Sequence, residues 1–120
     1  MDNKLEKEIV KILFDLGISP SIKGYRYLVY AVYYCHCITL PNISFSKDIY
    51  PRIAEHFETT ASSVERAIRH AINTGWCRHD HEASARIFGN TIYSDIDIPS
   101  NAVFISAVAE WIRLNYDSAD

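Results

Sequence analysis

A chain of 120 residues with 48% hydrophobic and 22% charged side chains has the composition of one globular domain rather than of a disordered segment. Its formal net charge of −3 excludes the broadly basic surface of a protein that coats nucleic acid, so any nucleic-acid contact must be local. The charged start (Asp2, Lys4, Glu6, Lys7, Glu8) is not a secretory signal, and the odd cysteine count (Cys35, Cys37, Cys77) suits a reducing compartment, so the expected location is the cytoplasm.

In chain order, Leu5, Ile9, Ile12, Leu13 and Leu16 recur at helical spacing and Gly17 supplies a stop, which predicts a first helix. Ser19-Pro20 offers an N-cap with proline in the first turn of a second helix, while Gly24 argues for a regular start nearer Lys23. Leu28, Ala31, Val32, Cys35 and Ile38 form its apolar stripe. The uncharged, apolar run from Tyr27 to Leu40 falls short of the ~20 residues that span a bilayer, so a core helix and no membrane contact are expected.

Ile49, Ile53 and Phe57, with Ala54 beside them, predict a short third helix, with Asp48 as N-cap and Pro51 in the first turn, where proline costs no hydrogen bond. Thr59-Thr60-Ala61 makes the next turn. A fourth helix then runs from about Thr60 to Thr74, with Gly75 as its cap. A short helix is expected from Ala83 to Phe88, closed by Gly89; residues 91–98 are open between loop and hairpin; and Ser100 caps a last helix facing inward through Phe104, Val108, Trp111 and Ile112. The expected fold is all-α, a single domain over residues 1–120 made of six helices, with a helix-turn-helix at about residues 48–75.

The fourth helix carries the functional signal. Val64, Ala67, Ile68, Ala71 and Ile72 define one apolar face. At about 100° per residue, the opposite face is centred on Ser62, Arg66, Arg69 and Asn73, with Ser63, Glu65 and His70 on its flanks; with Thr60 at the helix start these are the eight candidate DNA-binding residues. Arginine can donate two hydrogen bonds to guanine, glutamate can accept from the cytosine amino group, and serine or asparagine can bond bases or phosphates. The run from Ser62 to Glu65 also fits a capping box, which would make Glu65 a helix-starting residue instead. From Lys47 to Arg78, five positive residues (Lys47, Arg52, Arg66, Arg69, Arg78) stand against four negative ones (Asp48, Glu55, Glu58, Glu65), so this segment is +1 and the remainder of the −3 chain is −4. A solvated helix face remains the plain alternative.

Beyond these patterns, the chain resembles the family of C-terminal effector domains of the stage-zero sporulation protein A, a response regulator of two-component systems. The likeness runs through IKGYRYL (22–28), IYPRIAEHFETTASSVERAIRHAI (49–72), IFG (87–89) and PSNAVFISAVAEWIRL (99–114). It implies a sequence-specific transcription regulator that binds short boxes in double-stranded DNA, as tandem copies, under control of a phosphorylated receiver domain that these 120 residues do not include. By position, it implies base contacts for Glu65 and Arg66, backbone contacts for Arg69 and His70, and a contact to the RNA polymerase sigma subunit between His79 and Gly89. The family motif ASRVER has arginine where this chain has Ser63, so the recognition surface lacks one of the family's cations.

Rival chemistry is thin. Cys77, His79 and His81 would converge on a metal only in extended structure and lack a fourth ligand, while Cys35 and Cys37 diverge on a helix. No nucleophile and base pair, phosphate loop or carboxylate dyad is recognisable, so neither an enzyme nor a cofactor is expected. A protein-interaction module with the same fold and no DNA affinity is the reading from another class.

Overall fold

The computed structural model describes residues 1–38, 42–78, 80–89 and 97–116. Six α-helices make up the fold, and no strand occurs among the described residues: α1 Asn3–Asp15, α2 Tyr25–Cys37, α3 Tyr50–Phe57, α4 Ala61–Trp76, α5 His81–Phe88 and α6 Asn101–Asn115. The all-α expectation is met. Residues 91–96, most of the stretch left open between loop and hairpin, lie outside the described residues.

Helix α1 buries four residues of its predicted stripe and its C-cap Leu16 the fifth, and Asp2 caps its start by accepting from the Lys4 amide. At its end Gly17, with φ +88°, donates to the Phe14 carbonyl, and Ile18 donates to that of Leu13. This is the Schellman pattern, which satisfies two carbonyls that the helix leaves unpaired.

Helix α2 starts at Tyr25, later than the Ser19-Pro20 signal suggested. Gly24 has φ +92°, outside helical geometry, and offers no side-chain cap. A Cβ at Gly24 would lie 2.3 Å from the Ala67 carbonyl oxygen, so the backbone turns here because α2 begins against α4. Leu28, Val29, Ala31 and Val32 are buried, and α2 packs most extensively on α6. Cys35 is half-buried, and burial pushes its thiol above its ordinary pKa. Trp76, Phe88 and Phe104 fill the other end of the core, with Trp76 and Phe88 edge to face at a centroid distance of 5.4 Å. Among the described residues no helix is long and apolar enough to cross a membrane, and α2 has 13 residues.

Two expected helix ends are corrected. Asp48 does not cap α3: Ser44 does the capping, by accepting from the Lys47 amide ahead of a π-helical turn Phe45–Ile49 that leads into α3. Asp48 instead accepts from the Ser44 amide at 2.8 Å, closing a reciprocal pair at the start of the turn. Gly75 does not end α4, which continues to Trp76. Gly75 is buried against Gly17 and Ile18, where a Cβ would come within 2.6 Å of the Ile18 Cγ1, so the glycine serves close packing rather than termination.

Between α3 and α4 the chain reverses through Glu58, at φ +56°, and the Thr59 amide donates to the Ala54 carbonyl at 2.9 Å. This is again a Schellman turn, here with a non-glycine residue in the left-handed position at a cost of about 1 kcal/mol. The α3–turn–α4 unit, consistent with a helix-turn-helix, packs through Ile53, Ala54, Val64 and Ile68, all buried.

Candidate nucleic-acid interface

Helix α4 divides cleanly between core and solvent. Val64, Ile68, Ala71, Ile72, Gly75 and Trp76 are buried, and Ala67 is half-buried at the edge. Thr60, Ser62, Arg66, Arg69, His70 and Asn73 are exposed, with Ser63 and Glu65 half-exposed beside them. All eight residues picked from the sequence therefore lie on one accessible surface formed by α4 and its N-cap.

They are not equally free. The N-cap is Thr60, whose hydroxyl accepts from the Ser63 amide at 3.2 Å and donates to the Ser63 hydroxyl at 2.9 Å. The capping box expected from Ser62 to Glu65 is thus corrected: Thr60 and Ser63 form the cap. Glu65 pairs instead with Arg69, one turn on. Among the described residues Arg66 has no ion pair, which leaves its guanidinium available to a ligand.

The sequence reading missed Asn101, at the first position of α6. Its side chain is 9% exposed, and its amide donates to the Glu65 carbonyl at 3.0 Å and to the Tyr50 hydroxyl at 3.2 Å. One buried side chain thereby ties the starts of α3 and α6 to the second turn of α4 and fixes the pose of the exposed face. Burial raises the Tyr50 phenol above its ordinary pKa, keeping it neutral as an acceptor in this clamp. No periodicity marks such a residue, because its partners come from two distant segments.

Also missed was the surface beside α4. A groove of about 530 Å³ separates α4 from the start of α2, with Lys23 and Tyr27 on one side and Ser63, Arg66 and His70 on the other. On α3, Arg52 lies over the Tyr34 ring at 5.5 Å and His56 stacks near Tyr30 at 4.7 Å, so these two exposed side chains of α3 rest on an aromatic shelf.

For a metal the geometry offers little. Among the described residues no group of three His, Cys, Asp or Glu side chains could hold an ion. Of the candidate trio, His79 lies outside the described residues, while the Cys77 thiol donates to the Asn73 carbonyl at 3.6 Å.

The family model described as "Sporulation initiation factor Spo0A C terminal" matches residues 9–112, a span from within α1 to within α6. The chain belongs to this family. Spo0A C-terminal domains are the DNA-binding effector domains of a sporulation response regulator and form a non-enzymatic family. Membership thus gives the chain a class of ligand, DNA.

Proposed function

We propose that the chain is a sequence-specific transcription regulator that inserts α4 into the DNA major groove and acts in the cytoplasm, where its 120 residues work as one domain. The observation that carries this reading is the uncommitted Arg66 at the centre of an exposed polar face whose reverse side is locked into the core. In this reading α3–turn–α4 is a helix-turn-helix, with the second helix in the groove and the first crossing the backbone. Arg66 makes a bidentate contact to guanine, Glu65, Ser62 and Asn73 meet neighbouring base edges, and Thr60, Arg69 and His70 lie against phosphates. Ser63, occupied by the cap, contributes little to base reading.

Two copies would occupy adjacent boxes in tandem, and the surface around α5 would meet the polymerase sigma subunit. Both follow the family pattern. A second reading, the protein-interaction module, is favoured by the Glu65–Arg69 pair, which neutralises part of the face, and by the net charge of −3.

Competition between a duplex carrying the family's promoter box and a scrambled duplex separates the two. The parent chain should prefer the box, and Arg66→Ala should lose about 1–3 kcal/mol of that discrimination while melting like the parent. No DNA binding by the parent would favour the interaction module, and an unchanged preference in Arg66→Ala would overturn Arg66 as the residue that reads the box.

A further inference from the structure

The two sides of α4's exposed face differ in charge. Toward α6, Arg69 is neutralised by Glu65. Toward α2, the groove holds Lys23, Arg66 and His70, and no acidic side chain lines it. Among the described residues no carboxylate pairs with any of these three. The positive potential of the interface is therefore concentrated on one flank.

Backbone packing holds that flank in place. The close approach of Gly24 to the Ala67 carbonyl sets the residue before it, Lys23, against the wall of the groove. Tyr27, near the start of α2, is braced edge-on against Phe57 with centroids 5.1 Å apart. No side chain caps α2, so the positive end of its dipole adds to the same field.

A helix seated in the major groove, about 12 Å wide, has a sugar-phosphate strand on either side. We infer that the groove between α2 and α4 is a phosphate-binding subsite for the DNA backbone beside the bases that α4 reads. Lys23 supplies the charge from one wall, His70 faces it from the other, and Tyr27 adds a hydroxyl donor. The inference rests on the reading of α4 as the recognition helix and extends the interface to a second element. It assigns positioning to the α2 side and base reading to α4, since phosphate contacts carry no sequence information.

The test is a salt titration of the full chain on box and scrambled duplexes, comparing the parent with Lys23→Gln and with Lys11→Gln. Lys11 is an exposed lysine of α1, a helix that contributes nothing to the groove. Lys23→Gln should weaken binding to both duplexes by the same factor, lower the slope of log K against log salt by about one and leave the box preference intact. Lys11→Gln should change neither slope nor preference. If the parent binds and Lys23→Gln keeps its slope, or if Lys11→Gln lowers the slope equally, the subsite is wrong while the reading of α4 stands. If the parent binds no DNA, both are wrong.

Discussion

Val64→Asp abolishes cooperative thermal unfolding followed by far-ultraviolet circular dichroism. Val64 is fully buried in α4, in the core cluster that also contains Ile53, Ala54 and Ile68. The substitution forfeits about 1.5–3 kcal/mol of apolar burial and puts a carboxyl group into a cluster of buried apolar side chains. The group would either stay charged at a cost of several kcal/mol or take up a proton and still lack a partner. Set against a total stability of about 5–15 kcal/mol, that is enough to unfold most of the population. A melt superimposable on the parent's would mean that this face of α4 is not the core face, and with it the exposed polar surface would have to be reassigned.

Gly24→Ala lowers the midpoint of urea unfolding by an amount equivalent to about 2–4 kcal/mol and weakens DNA binding with it. The left-handed conformation at φ +92° costs an alanine about 1–2 kcal/mol. The remainder comes from sterics, since the new Cβ would lie 2.3 Å from the Ala67 oxygen and 2.7 Å from its carbonyl carbon, both backbone atoms that cannot swing aside. Either α2 withdraws or α4 shifts, and the groove between Lys23 and Arg66 changes shape. Gly89→Ala carries no such clash: at φ +85° and ψ 165° its alanine pays a conformational cost of its own, but a Cβ there would have nothing within 4 Å. A loss at Gly24 no larger than the conformational cost of about 1–2 kcal/mol would show that the approach of α2 to α4 is not tight.

The contrast between these glycines also shows what the sequence could and could not reveal. The stripes of α1 and α4 and the Ser100 cap of α6 are readable because periodicity and capping are local signals, and the packing agrees with them. Gly75 has the sequence signature of a helix stop, and only its contact with Gly17 shows that it is a packing residue. Pro51 marks an early helical position correctly, yet the cap lies seven residues before it, at Ser44, because a π-helical turn precedes α3. Serine and glutamate spaced as in a capping box left Glu65 open between helix start and recognition face, and the neighbouring Thr60 takes the cap and leaves Glu65 to Arg69.

The site was legible in the same uneven way. Seven residues of α4 follow from one helical wheel, and Thr60 from the start of the helix. Lys23 and Asn101 do not, because they reach α4 only through tertiary packing, Lys23 by way of a glycine contact and Asn101 by way of a buried amide. Each belongs to a segment whose own pattern reports helix boundaries and nothing about the surface it joins.

If α4 reads base edges in the major groove, guanine N7 is among the acceptors it must meet there. Methylation interference on a duplex carrying the family's promoter box probes that contact, because a methyl group on N7 blocks the acceptor without altering the minor groove. Methylation of guanines within the box should prevent binding by the parent chain, and Arg66→Ala should become insensitive at one of those guanines. Full binding by the parent to duplexes methylated at every guanine of the box would contradict the placement of α4 in the groove.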